Sequence, residues 1–87
     1  MALRHGGKIL VDQLEINGAK AAFTVPGESF LAALDGLHGA GIETIICRQE
    51  GGCSMMAEAY GKATGTPGLC FVTRGPGLAN AMAGLHI

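Results

Sequence analysis

The spacing of apolar side chains changes in the same way three times along this chain. From Gly7 to Asn17, Leu10 and Leu14 lie four apart with Val11 beside them, one face of a short helix. Asn17-Gly18 ends it as a left-handed cap would. Ala21 to Val25 is then a continuous apolar run closed by Pro26-Gly27, which predicts a buried strand and a tight turn. Ser29 to His38 carries Phe30, Leu31, Leu34 and Leu37 at helical spacing, with Gly39 and Gly41 closing it. The cycle repeats with a β-branched run, Ile42 to Cys47, then Gly51-Gly52, then a helical stripe of Met55, Met56, Ala59 and Tyr60 that stops between Gly61 and Gly65. It repeats again with Leu69 to Thr73, the Gly75-Pro76-Gly77 turn, and a helix from Leu78 to Leu85.

A leading helix followed by three strand–turn–helix cycles predicts an α/β fold: a three-layer parallel sheet with helices on both faces. Continuous apolar strands suit a parallel sheet that is covered on both sides. Three strands make a small sheet, so residues 1–87 are expected to be a partial domain. Ligands of such sheets gather just beyond the carboxyl ends of the strands. Three neighbourhoods fall there: Pro26-Gly27-Glu28, Arg48 to Gly52, and Arg74 to Gly77.

Composition sharpens this picture. The chain has 87 residues, of which 48% are hydrophobic, and its mean hydropathy is +0.35. A chain this short buries only about 60–65% of its unfolded surface, so the apolar excess predicts faces that other chain covers. Its 15 glycines sit at the turns and not in a low-complexity tract. Six basic against seven acidic residues, with no basic block, argue against nucleic acid. No apolar run reaches the ~18 residues of a membrane span, and the first residues lack a signal-peptide core, so a cytoplasmic protein is expected. Cys47, Cys53 and Cys70 are odd in number and lack metal-ligand spacing. Buried free thiols are therefore expected, not zinc or a disulfide framework.

Glu50 is the first candidate for chemistry, standing between an apolar strand and a glycine pair. A carboxyl group partly removed from water holds its proton to higher pH, which suits proton exchange near neutrality. The same position also suits an ordinary helix-start carboxylate that favours the helix dipole. Gly75-Pro76-Gly77 could let a ligand approach the backbone at a helix start. It matches neither GxGxxG nor a P-loop, and a plain structural turn fits it equally well. Asn80 offers an amide in the first turn of the last helix. Arg48 and Arg74 each end a strand and could pair with acids such as Glu28 or Glu58, or remain solvated. His38 and His86 have no partner at metal-ligand spacing, and Ser29 and Ser54 have no base near them in sequence.

Taken together, four segments resemble one family, the thiamine-diphosphate-dependent enzymes of acetolactate-synthase type, in their amino-terminal pyrimidine-binding domain. Phe23-Thr24-Val25-Pro26-Gly27-Glu28-Ser29 is similar to the family's V-P-G segment. Arg48-Gln49-Glu50-Gly51-Gly52 resembles its R-[HQ]-E segment, and Tyr60 to Gly65 its Y-A-[RK]-x-[ST]-G region. Thr73-Arg74-Gly75-Pro76-Gly77-Leu78-Ala79-Asn80 resembles its [ST]-x-G-P-G-x-x-N turn. The four occur in the family's order and cover nearly the whole chain. Thr24 departs from a common glycine, and Leu78-Ala79 from a common Ala-Thr.

The resemblance implies thiamine diphosphate as cofactor and a 2-oxo acid as substrate, with decarboxylation or carboligation as the reaction. It implies that Glu50 hydrogen-bonds N1′ of the aminopyrimidine and so promotes loss of the C2 proton. Pro26, Gly27 and Asn80 match segments near the pyrimidine and are expected to contact the cofactor. The family holds the diphosphate and Mg2+ through a separate domain with a GDG…N motif, usually from another subunit. This chain contains no such motif, and its acids near glycine, such as Asp35-Gly36, are isolated. The family's glutamine beyond the last helix would fall after Ile87. The 87 residues are thus expected to continue into a longer protein, to be inert alone, and to act within a homo-oligomer. The alternative is a non-catalytic α/β module that binds a partner chain. A different nucleotide-binding domain is disfavoured by the missing phosphate motifs.

Overall fold

The computed structural model describes residues 5–86, without the side chains of Glu28 and His86. The suggested pairing of Glu28 with an arginine, and the role of His86, lie outside the described residues. Four α-helices and three strands alternate: α1 (Gly6–Ile16), β1 (Ala21–Thr24), a 3-10 turn (Glu28–Phe30), α2 (Leu31–Leu37), β2 (Glu43–Ile46), α3 (Glu50–Thr64), β3 (Gly68–Phe71) and α4 (Gly75–His86). All pairings are parallel and the order across the sheet is β2-β1-β3. The expected α/β class and parallel sheet are therefore present.

The central strand divides the core by its pleat, because alternate side chains leave opposite faces. Ala22 joins Val11, Ala19, Leu37 and Ile42 beneath α1 and α2. Ala21 and Phe23 join Cys47, Cys53 and Ala57 beneath α3. On that side the Phe23 ring meets Tyr60 edge-on, with centroids 5.8 Å apart. All four β1 residues are buried. Thr24 is the one polar member, and its hydroxyl donates to the Phe71 carbonyl at 2.9 Å. This explains how a threonine is tolerated where relatives of the motif carry glycine.

Small residues let the elements approach backbone to backbone. A Cβ on Gly7 would lie 1.8 Å from the Ala32 carbonyl oxygen, and one on Gly36 would lie 2.5 Å from that of Gly7. Helices α1 and α2 cross there at main-chain contact. His5 pins the same junction. Its Nδ1 accepts from the Lys8 amide at 3.1 Å, so Nε2 carries the proton and donates to Asp35 Oδ2 at 2.6 Å. Likewise a Cβ on Gly68 would meet the Ala57 carbonyl oxygen at 2.0 Å, where β3 passes α3. Ser54, buried in α3, donates to the Ala81 carbonyl of α4 at 2.7 Å, beside Gly84.

Several expectations about faces need correction. Of the stripe expected on α3, Tyr60 is half-buried against the core, but Met55, Met56 and Ala59 are exposed. The helix buries Gly51, Cys53, Ser54 and Ala57 instead, because close packing selects small side chains over large apolar ones. The Ile42–Cys47 strand is not covered on both sides: β2 is an edge strand, with Glu43, Thr44 and Ile46 exposed. The helix predicted from Ser29 begins as a 3-10 turn and becomes α-helical only at Leu31. Gly75-Pro76-Gly77 is not a separate turn but the opening of α4, a position proline tolerates because its missing N–H would have no intrahelical partner.

Two outcomes follow from this packing. Gly7→Ala should force α1 from α2, an overpacking of about 1–3 kcal/mol, and lower the thermal midpoint by about 5 °C or more. An unchanged midpoint would show that the two backbones are not in contact. Burial of Cys53, together with its contact with Cys70 and the nearby Cys47, pushes its thiol pKa well above the ordinary 9.0. The folded state thus keeps this proton where the unfolded chain releases it. Stability should be whole below about pH 9 and decline as pH rises further. Thermal melts across that range should show the decline, and Cys53→Ala should flatten it.

Candidate functional site at the carboxyl ends of the strands

The connection leaving β1 runs through α2 on one face of the sheet, and that leaving β2 runs through α3 on the other. Parallel sheets open a crevice at such a reversal, outside the strand carboxyl ends. All three neighbourhoods singled out in the sequence converge there. The first and third touch directly. Ser29 and Thr73 hydroxyls lie 2.8 Å apart, and the Val25 amide donates to the Phe71 carbonyl at 3.3 Å. A Cβ on Gly27 would stand 3.1 Å from Thr73 Cβ, so this turn admits glycine best.

The second and third neighbourhoods meet through Glu50. It is the first residue of α3 and is half-buried. Gln49, the N-cap, is extended and its Oε1 accepts from the Gly52 amide at 3.0 Å, which fixes where the helix begins and hence where Glu50 stands. Asn80 Nδ2 donates to Glu50 Oε1 at 3.3 Å. The other oxygen, Oε2, faces Gly77, where an added Cβ would sit 3.7 Å away and only 2.9 Å from Thr73 Cγ2. Among the described residues no hydrogen bond reaches Oε2. One carboxylate oxygen is thus held by an amide, and the other is left facing a glycine-lined turn.

The four residues read as a site from the sequence divide accordingly. Glu50 and Asn80 are in contact, and Gly27 packs on Thr73 of the same turn that shields Glu50. Pro26 is exposed beside Gly27. Glu58 pairs with Lys62 one turn on and not with an arginine. His38 is remote from these turns. It lines an open cavity of about 390 Å³ with Leu34, Leu37, Ala40, Ile42 and Thr44, none of which belongs to the crevice. No cluster among the described residues has the make-up of a metal site, and no described helix is long and apolar enough to cross a membrane.

Some of these contacts, and one cluster outside the crevice, were not visible in the sequence. Ser29 and Thr73 bridge two turns separated by 44 residues, a pairing no local pattern announces. Gln49 caps α3, although glutamine is not among the side chains favoured at that position. The three cysteines, scattered in sequence, collect on the α3 face of the sheet.

The donor set suits an aminopyrimidine. A half-buried carboxyl group with one oxygen unengaged among the described residues can exchange a proton with a ring nitrogen, and glycines beside it leave room for a flat ring. The chain is 37% identical over 81 residues to the acetolactate synthase isozyme 2 large subunit of Escherichia coli, covering 93% of this chain and 15% of that protein. It is 40% identical over 81 residues to acetolactate synthase of Bacillus subtilis, covering 93% and 14%. It is also 40% identical over 74 residues to a probable 2-ketoarginine decarboxylase of Pseudomonas aeruginosa, covering 85% and 13%. The chain therefore spans about one seventh of the length of these relatives. Residues 4–87 match the family described as thiamine pyrophosphate enzyme, N-terminal TPP binding domain, and with this α/β core beneath the match, the chain belongs to that family.

Proposed function

We propose that this chain supplies the pyrimidine side of a thiamine-diphosphate site, in a protein that acts on 2-oxo acids by decarboxylation or carboligation. The observation that carries the proposal is the placement of Glu50. It is half-buried at the start of α3, with Oε1 held by Asn80 and Oε2 turned to Gly77. Bound thiamine diphosphate would supply the electron sink for cleaving and forming bonds at the substrate carbonyl carbon. Glu50 would hold or release a proton at Oε2, toward the ring nitrogen N1′. Asn80, expected from the sequence to touch the cofactor, would act through Glu50 as a positioning residue. Pro26 and Gly27 would wall the crevice from the β1 side, and the Ser29–Thr73 pair would keep that wall against α4. Among the described residues, no cluster of side chains at the mouth of the sheet has the make-up to hold Mg2+. That role is assigned to a diphosphate-binding domain outside these residues, from another subunit of a homo-oligomer.

The sequence similarity to acetolactate synthases and to a probable 2-ketoarginine decarboxylase supports this class of reaction. Glu50→Gln in the full protein should slow exchange of the cofactor's C2 hydrogen, started by dilution into deuterium oxide, stopped with acid and read by NMR, by about 100-fold or more. Exchange at the normal rate would remove Glu50 from the mechanism. Asn80→Asp tests the positioning role, since a second carboxylate beside Glu50 disfavours its ionisation. The pH profile of C2 exchange should move upward by about one unit. A profile left in place, with only the cofactor affinity changed, would make Asn80 a cofactor contact.

A further inference from the structure

Three thiols lie together on the α3 side of the sheet, outside the proposed cofactor crevice. Cys53 is completely buried, with no exposed surface, and Cys47 is buried beside it. Cys70 is half-buried on β3, at the edge of the described sheet. All three are free, and Cys53 Sγ touches Cys70 Sγ at 3.4 Å. The Cys47 thiol lies near Cys53 as well, but it donates to the Ile45 carbonyl at 3.8 Å. The Cys53–Cys70 contact is held by more than the side chains. Gly68, two residues before Cys70, presses on the Ala57 backbone, one turn after Cys53, so closely that a Cβ would meet it at 2.0 Å. Helix and strand are therefore held backbone to backbone beside the two thiols.

We propose that Cys53 and Cys70 form an oxidative modification site, a dithiol pair that hydrogen peroxide closes to a disulfide between α3 and β3. Cys70 is the thiol that a small oxidant reaches. Its sulfur attacks peroxide, the O–O bond breaks, and a sulfenic acid and water form. Cys53 then attacks the Cys70 sulfur. The S–O bond breaks, and the departing hydroxide takes the Cys53 proton to become a second water. The pair loses two electrons in all and the peroxide gains them. Burial keeps the Cys53 thiol protonated, which fits the second role and not the first, because the thiolate is the form that attacks an oxidant. The sulfenic acid at Cys70 forms within contact of its partner, so closure should outrun further oxidation. The linkage would join α3, one turn after Glu50, to the strand that leads into Thr73 and Gly77. It does not depend on the cofactor reading.

Trypsin separates the three thiols, since cleavage after Lys20, Arg48, Lys62 and Arg74 puts Cys47, Cys53 and Cys70 on different peptides. The intact protein is treated with hydrogen peroxide, unfolded in N-ethylmaleimide and digested without reductant. The expected product is peptide Gln49–Lys62 joined to Ala63–Arg74, lighter than their sum by a pair of hydrogen atoms and lost on reduction. Cys47 should remain fully alkylated. In Cys53→Ala, dimedone should trap a sulfenic acid at Cys70, while in Cys70→Ser the Cys53 peptide should stay unoxidised at the same peroxide dose. Full alkylation of Cys53 and Cys70 after peroxide, a linkage through Cys47, or sulfonic acid at Cys70 without any linked peptide would each overturn the proposal. The wild-type digest decides the matter even if a variant fails to fold.

Discussion

Close approach of backbones at glycine is the constraint on which this structure depends. The central strand has four residues, three of them Ala, Ala and Thr, and it offers little apolar area to either face. Stability from burial scales with apolar area removed from water. A core this lean holds only if its layers come near enough for dispersion contacts to replace bulk. Gly7 and Gly36 achieve this between α1 and α2, Gly68 between β3 and α3, and Gly84 between α4 and Ser54. Each junction is a main-chain contact or one atom removed from it. Interiors packed in this way do not slide, so the ends of α3, β3 and α4 are fixed relative to one another. The crevice inherits that rigidity: Glu50 opens α3, Thr73 follows β3, and Gly77 and Asn80 lie in α4.

The same economy explains what the sequence disclosed and what it hid. Glycine and proline mark the ends of elements, because they alone suit the backbone there, and Gly18 and Gly65 do adopt positive φ at helix ends. The order of elements was therefore legible. The buried face of α3 was not, because hydrophobic periodicity weighs large side chains, and this helix turns Gly51, Cys53, Ser54 and Ala57 inward while Met55 and Met56 face out. Glu50 could be singled out from its place between strand and glycine pair, but only the family resemblance raised it above a helix-start carboxylate. Its contact with Asn80 was not legible. The two are 30 residues apart, and they meet because Ser54 and Gly84 bring α4 against α3. The thiol contact was hidden for the same reason, since it follows from Gly68 lying on Ala57 and not from any cysteine spacing.

Departures from the family's motifs can be weighed by the same rule. Thr24 replaces a common glycine at the end of β1, and a buried hydroxyl without a partner would cost about 1–3 kcal/mol. Here the hydroxyl finds the Phe71 carbonyl, so the substitution adds a tie between β1 and β3 instead of a penalty. Leu78 and Ala79 are exposed on α4, away from the Glu50 contact. Leu78 instead forms an exposed stripe with Met82 and Leu85. Neither departure disturbs the residues that surround the carboxylate.

A carboxyl group that must exchange a proton with a ligand needs two opposed conditions. It must be held still, yet one oxygen must not be satisfied by the protein. Rigid placement normally comes from hydrogen bonds, and each bond to the carboxylate occupies the lone pairs that the ligand requires. In the role proposed for Glu50, the two demands fall to different parts of the chain. Gln49 fixes the helix start by bonding to the Gly52 amide and not to Glu50, and Asn80 takes only Oε1. Gly77 then faces Oε2 with no side chain at all. A residue larger than glycine at that position would fill the remaining space and also press on Thr73. Glycine at position 77 is thus demanded by Thr73, whose Cγ2 an added Cβ would meet at 2.9 Å, and it also leaves the space beside Oε2 open, so two motifs far apart in sequence meet at one place.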